Sequence, residues 1–192
     1  DDILTYFLKS EKQERGKSDF HGVGCPLSVS DQRIKLNVLD AFMNAAEEIG
    51  IPKIDDFNKG DNFGCGYFQV TEKNGLRCSA SVGYLNPIKK NKNLKIETNC
   101  HVEKINFVNK KAASISYWKN NQLFTVKTNK EIILSAGSIG SPQILQASGI
   151  GNAEKLSDLG INIVKNSNGV GKNLQDHLML RPVYKLKNIK TL

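Results

Sequence analysis

No hydrophobic run in this sequence approaches the roughly 20 residues that a membrane span requires, and no signal peptide is visible. There is no initiator methionine, and the first residues already read as helix, the pattern expected of an internal piece of a longer chain. The four cysteines, Cys25, Cys65, Cys78 and Cys100, include no CxxC pair, and no histidine stands at a zinc-like interval from two of them. A metal site is therefore not expected, and the thiols read as reduced and mostly buried. The matching compartment is the cytoplasm; a membrane or quinone link of the intact protein stays open. Arginine is scarce beside lysine, and no basic stripe is interleaved with aromatics. The net charge of +8 therefore reads as scattered, solvated lysines, not as a nucleic-acid face. Internal repeats and low-complexity linkers are absent. So is a GxGxxG turn: Gly16, Gly22 and Gly24 follow no buried strand, and Gly169-Val170-Gly171 lacks the third glycine.

What is there is organised around residues 131–151, EIILSAGSIGSPQILQASGIG. Ile132, Ile133 and Leu134 form a short apolar run of the kind shown by a strand buried on both faces. Ala136, Gly137 and Ser138 are small enough to let a ligand approach the backbone. Ser141 and Pro142 fit the cap and first turn of a helix over 143–148, stopped by Gly149. A helix N-terminus beside such a turn favours negative charge. Taken alone, the same spacing also describes an ordinary strand-to-helix turn.

The rest of the chain alternates helices and strands, which predicts a mixed α/β fold. Asp2 is placed to cap a helix to about Ser10, with Ile3, Tyr6 and Phe7 on one face. Residues 11–19 are charged and turn-like, His21 reads as a surface loop histidine, and 26–30 as a short strand. A second helix starts at Ser30 or Asp31, carries a core stripe of Val38, Leu39, Phe42, Ala45, Ala46 and Ile49, and stops at Gly50. Asn74-Gly75 is a turn, and Ser79 caps a helix anchored by Tyr84 and Leu85. Arg77 beside that cap suits either a phosphate or a carboxylate partner, and the structural role is favoured. Residues 94–98, 102–108, 113–118 and 123–128 alternate as strands, with asparagine turns at 109–111 and 120–121. Asn152 caps a helix to about Leu159 with Gly160 as its stop. Strands follow at 161–164 and from 178 to 186.

The residues Ala136-Gly137-Ser138, Ser141-Pro142-Gln143-Ile144-Leu145 and Ser148-Gly149-Ile150-Gly151 resemble, without a gap, the second signature of the glucose–methanol–choline (GMC) oxidoreductases. The run from 75 to 87, GLRCSASVGYLNP, and that from 169 to 177, GVGKNLQDH, are similar to further GMC stretches, as is HGVGCPLSVS at 21–30. The resemblance extends over nearly the whole chain and is closest to the choline and alcohol dehydrogenase branch. It implies part of a Rossmann-like FAD-binding domain with an inserted antiparallel meander, plus pieces of a substrate domain. The implied segments are 1–75 in the substrate domain, 76–171 in the FAD domain (meander at 94–128, signature at 135–151), and 172–192 in the next substrate-domain segment. The implied cofactor is FAD, contacted by Val102, Ala136 and Gly137. Val102 would read the adenine edge through its backbone, although the residue alone equally describes a core valine. The implied partner is a small-molecule alcohol that gives up hydride to the flavin; the electron acceptor is open. The family's catalytic histidine lies further C-terminal, so His177 is given a structural or loop-positioning role and His21 no catalytic one. A hydroxynitrile-lyase-like member and a non-catalytic, degenerate binding protein are the alternatives.

Overall fold

The computed structural model describes residues 2–189, which fall into two compact units. One holds the residues up to Ile96 together with those from Val183 on, and the other Glu97–Pro182.

The first unit opens with helix α1, Leu4–Ser10. Its N-cap is Ile3, and the expected Asp2 cap is replaced by a bond from Thr5 Oγ1 to the Asp2 carbonyl, 3.3 Å. Strand β1, Lys12–Gln13, runs parallel to β2, Ser28–Val29, inside stretches expected to be turn and strand respectively. Helix α2, Asn37–Glu48, begins later than the Ser30 or Asp31 start expected, because Ser30 is engaged elsewhere. Its backbone exchanges two bonds of 2.9 Å with Val70, which keeps the chain extended there. Of the predicted stripe only Ala46 is buried, while Leu39, Phe42 and Ile49 are exposed. Residues 65–68 border that face at Leu39, Phe42 and Met43 without burying it. Strands β3, Glu72–Lys73, and β4, Leu76–Arg77, form the expected hairpin. Asn74 and Gly75 supply the two positive φ angles, 55° and 79°, that a two-residue turn needs. A wide helical turn, Ser81–Leu85, follows, and Ser79 Oγ accepts from the N–H of Val82 at 3.3 Å, as a cap should.

The second unit is built on an antiparallel meander. Residues 94–98 are not a strand. Strands β5, His101–Val108, β6, Lys111–Lys119, and β7, Gln122–Lys127, pair in chain order. Both connections carry two consecutive positive φ angles, at Asn109 and Lys110 and at Asn120 and Asn121. Ile105 is buried on β5, and Asn106 Nδ2 donates to Ser114 Oγ and Ser116 Oγ across the ladder, 3.0 and 2.8 Å. Ile132 to Leu134 do not form a strand, and Ile133 is 80 % exposed. A doubly buried strand requires neighbours on each side, and none of the described residues supplies them. Helix α3, Gly137–Ala147, starts well before the predicted Ser141 cap and carries Pro142 inside it. Ser141 Oγ instead accepts from the N–H of Ala136, 3.0 Å. Strand β8, Ile150–Gly151, leads into α4, Ala153–Asp158, where Asn152 caps by accepting from the N–H of Lys155 at 3.0 Å. Strand β9, Lys165–Asn166, runs parallel to β8 and lies just beyond the strand expected at 161–164. Residues 178–186 form no strand; Leu178 and Leu180 are almost fully exposed. The last three residues of the sequence segment 172–192 lie outside the described residues. No helix among the described residues is long and apolar enough to cross a membrane.

Candidate functional site

The second unit brings the signature helix against the first strand of the meander. The tie is Ser148, buried at the end of α3. Its hydroxyl accepts from the backbone N–H of Ile105 on β5 at 2.8 Å and donates to the Ile144 carbonyl. Strand β5 is an edge of its sheet, so one row of its backbone groups faces away from β6 and toward α3. Ser148 occupies one of those groups. The register of β5 against β6 shifts between Val102 and Lys104, a bulge of the kind that re-aims backbone groups at functional rims.

Past that tie the two elements diverge and leave a cleft of about 320 Å³. One wall is residues 100–103 at the start of β5, and the other is Ala136, Gly140, Gln143, Ile144 and Ala147. Its size falls within the roughly 300–1,000 Å³ of small-molecule sites. Val102 and Ala136, singled out in the sequence, both line it. Gly137 is not in the lining. It opens α3 with φ of +81°, and a Cβ built there would meet nothing within 4 Å. The strand that was to deliver Ala136 and Gly137 to this position is an extended coil.

A second, larger cleft of about 770 Å³ lies on the other flank of α3. It is walled by Ser138, Ile139, Pro142 and Gln146 of the helix and by residues 171–175. Gln143 borders both clefts. Gln146 Nε2 donates to the Val170 carbonyl at 3.2 Å and holds this run against the helix. Sequence reasoning matched the 169–177 run to a pattern without placing it. The pairing was not legible because Gln146 and Val170 are joined only by the fold. His177 is exposed, and Asp176 Oδ1 accepts from the His177 backbone N–H at 2.8 Å, so the adjacent side chains form no catalytic pair. At the end of β6, a hydrogen bond to Glu97 and the attraction of its carboxylate raise the pKa of Lys119.

In the first unit, Arg77 lies exposed opposite Glu72 in the hairpin, whose carboxylate accepts from Arg33 Nε at 2.5 Å. Cys25 and Cys78 are buried, and Cys65 and Cys100 are half-buried; all four are free thiols. His21 departs from expectation. It is buried, with its ring held between two carboxylates.

A family model for GMC oxidoreductase matches residues 1–179. The chain belongs to the GMC oxidoreductase family. Among similar proteins, the oxygen-dependent choline dehydrogenase of Pectobacterium atrosepticum is 40% identical over 189 residues, 97% of this GMC chain and 34% of the relative. The mitochondrial choline dehydrogenase of Homo sapiens is 41% identical over 175 residues, covering 91% of the chain and 30% of the relative. Among solved structures, an FAD-dependent oxidoreductase from Chaetomium thermophilum superposes with a TM-score of 0.84 at 30% identity, over 91% of this chain and 33% of that one. The chain thus spans about a third of the length of the curated relatives it matches.

Proposed function

We propose that this chain is the middle part of an FAD-dependent oxidoreductase that oxidises a small alcohol of the choline type. Within it, residues 76–171 contribute the adenine side of the FAD domain, and 1–75 and 172–192 contribute substrate-domain segments. The observation that carries this reading is the cleft of about 320 Å³ between β5 and α3. Val102, on an edge strand beside a bulge, and the small residue Ala136 both line it. Such an edge offers N–H and C=O groups in a row, which suits the donor–acceptor edge of an adenine without any special side chain. Gly137 adds a helix start with open space above it, so a cofactor can approach the backbone there. The residues present therefore fit the adenine half of FAD.

When bound, FAD supplies the hydride acceptor for alcohol oxidation. This chain's own residues bind and orient the nucleotide. Proton abstraction from the alcohol is assigned to a histidine of the family's C-terminal segment, not to His21, His101 or His177. The reading is tested on the full-length protein that contains these residues. It should purify with FAD and reduce a dye in the presence of choline or a related alcohol. A protein without flavin, or one whose flavin no alcohol reduces, would overturn it.

A further inference from the structure

His21 is enclosed by groups from two other segments, at Glu11 and at Asp56. It is 7% exposed. Its Nδ1 lies 2.9 and 3.1 Å from the two carboxylate oxygens of Glu11, and its Nε2 lies 2.8 Å from Asp56 Oδ2. Asp56 is itself buried. Ionised carboxylates only accept hydrogen bonds, and a neutral imidazole carries one N–H. One of the two contacts would then set a lone pair against a carboxylate oxygen. The imidazolium donates to both. The remaining donors to these carboxylates are neutral: Gln13 Nε2 at 3.2 Å and the Gly22 N–H at 3.3 Å on Glu11, and the Asn58 N–H at 2.8 Å on Asp56. Arg15 is committed to Asp31 and Asp55 instead. The backbone at His21 is also fixed. A Cβ at Gly22 would fall 1.8 Å from the Leu8 carbonyl oxygen, so only glycine permits this approach to α1.

We propose that His21 is a buried imidazolium latch, and that its deprotonation releases the loop around Asp56 from the Glu11 segment. Asp56 anchors the start of that loop, and its neighbours Lys53, Ile54 and Asp55 form part of the wall of a cleft of about 340 Å³. The charges that face the ring are Glu11 from the segment before β1 and Asp56 from the loop; Ser18 Oγ accepts from the backbone N–H groups of Phe20 and His21, 3.2 and 3.1 Å. Burial opposes the charged ring, but the hydrogen bonds to Glu11 and Asp56 and the attraction of both carboxylates outweigh it and raise its pKa above 6.5. A folded-state pKa above the unfolded one gives stability that is complete below pH 6.5 and is lost as pH rises through the folded value. As the ring alone titrates, with both carboxylates ionised, the latch is therefore closed near pH 6.5 and weakens toward alkali.

The test uses the full-length protein with its histidines labelled at the ring carbon, titrated from about pH 5 to about pH 10 around the ordinary histidine value. The His21 resonance, identified by its loss in His21→Gln, should titrate above 6.5. Hydrogen exchange in residues 53–58, corrected for its intrinsic pH dependence, should accelerate several-fold with the same midpoint. Glu11→Gln removes one carboxylate, keeps the histidine, and should lower that midpoint even if His21→Gln fails to fold. A His21 midpoint at or below 6.5, a midpoint unmoved by Glu11→Gln, or loop protection unchanged through the transition would overturn the proposal.

Discussion

Ser148 joins the two walls of the candidate nucleotide cleft through one oxygen, which accepts from Ile105 on β5 and donates within α3. Replacing it with alanine leaves the Ile105 N–H buried without a partner. Ser148→Ala should therefore destabilise the full-length protein by about 1–3 kcal/mol, the cost of such an orphaned group. A denaturant titration measures this, and an unchanged midpoint would show that the tie carries no weight. Gly137 acts through its backbone. Its φ of +81° lies where a side chain is strained whatever space surrounds it, and the space here is open. Gly137→Leu adds a bulky group at the helix start and should lower flavin content; full FAD occupancy with unchanged activity would count against its place near the cofactor. The family resemblance singled out Val102, Ala136 and Gly137, of which the first two line the cleft between β5 and α3. His21 was not, because its burial depends on partners 10 and 35 positions away that no local pattern connects.

The elements that the sequence specified locally are the ones that formed as read. The meander is written into alternating side chains and asparagines that accept positive φ, and all three of its strands are present within a residue or two of expectation. The same holds for α4, whose start rests on one side chain. Asn152→Ala removes the bond accepted from Lys155 and should cost about 0.5–2 kcal/mol, as cap losses do. Faster hydrogen exchange confined to α4 and its neighbouring turn would report it; uniform protection would contradict it. Elements that depend on neighbours were misread. The 132–134 run has the composition of a central strand, but pairing takes partners on both sides, and Ile133 is left exposed. The α2 stripe has helical periodicity but only the 65–68 loop borders it, so Leu39, Phe42 and Ile49 stay partly in solvent. Helix α3 began early because Ser141 turned its hydroxyl back to Ala136 instead of capping a later start. Periodicity reports which face wants burial, not whether anything is there to bury it.

At the scale of the molecule, the exposed apolar residues Ile133, Leu178, Leu180 and Val183 mark surfaces suited to the remainder of a GMC protein. The 192-residue chain alone is accordingly expected to aggregate, and neither to hold FAD tightly nor to oxidise an alcohol. No Gly-rich turn of the GxGxxG type is present to take the pyrophosphate. Gel filtration after adding FAD, with absorbance of the retained flavin, measures this; a soluble monomer with near-stoichiometric yellow cofactor would contradict it. In the proposed function, β5 and α3 of this chain hold the adenine half of FAD. The most direct measurement is a crystal structure of the full-length protein with its cofactor. The adenine is expected in the cleft lined by Val102 and Ala136, hydrogen-bonded to the Val102 backbone. An adenine bound anywhere else would contradict it.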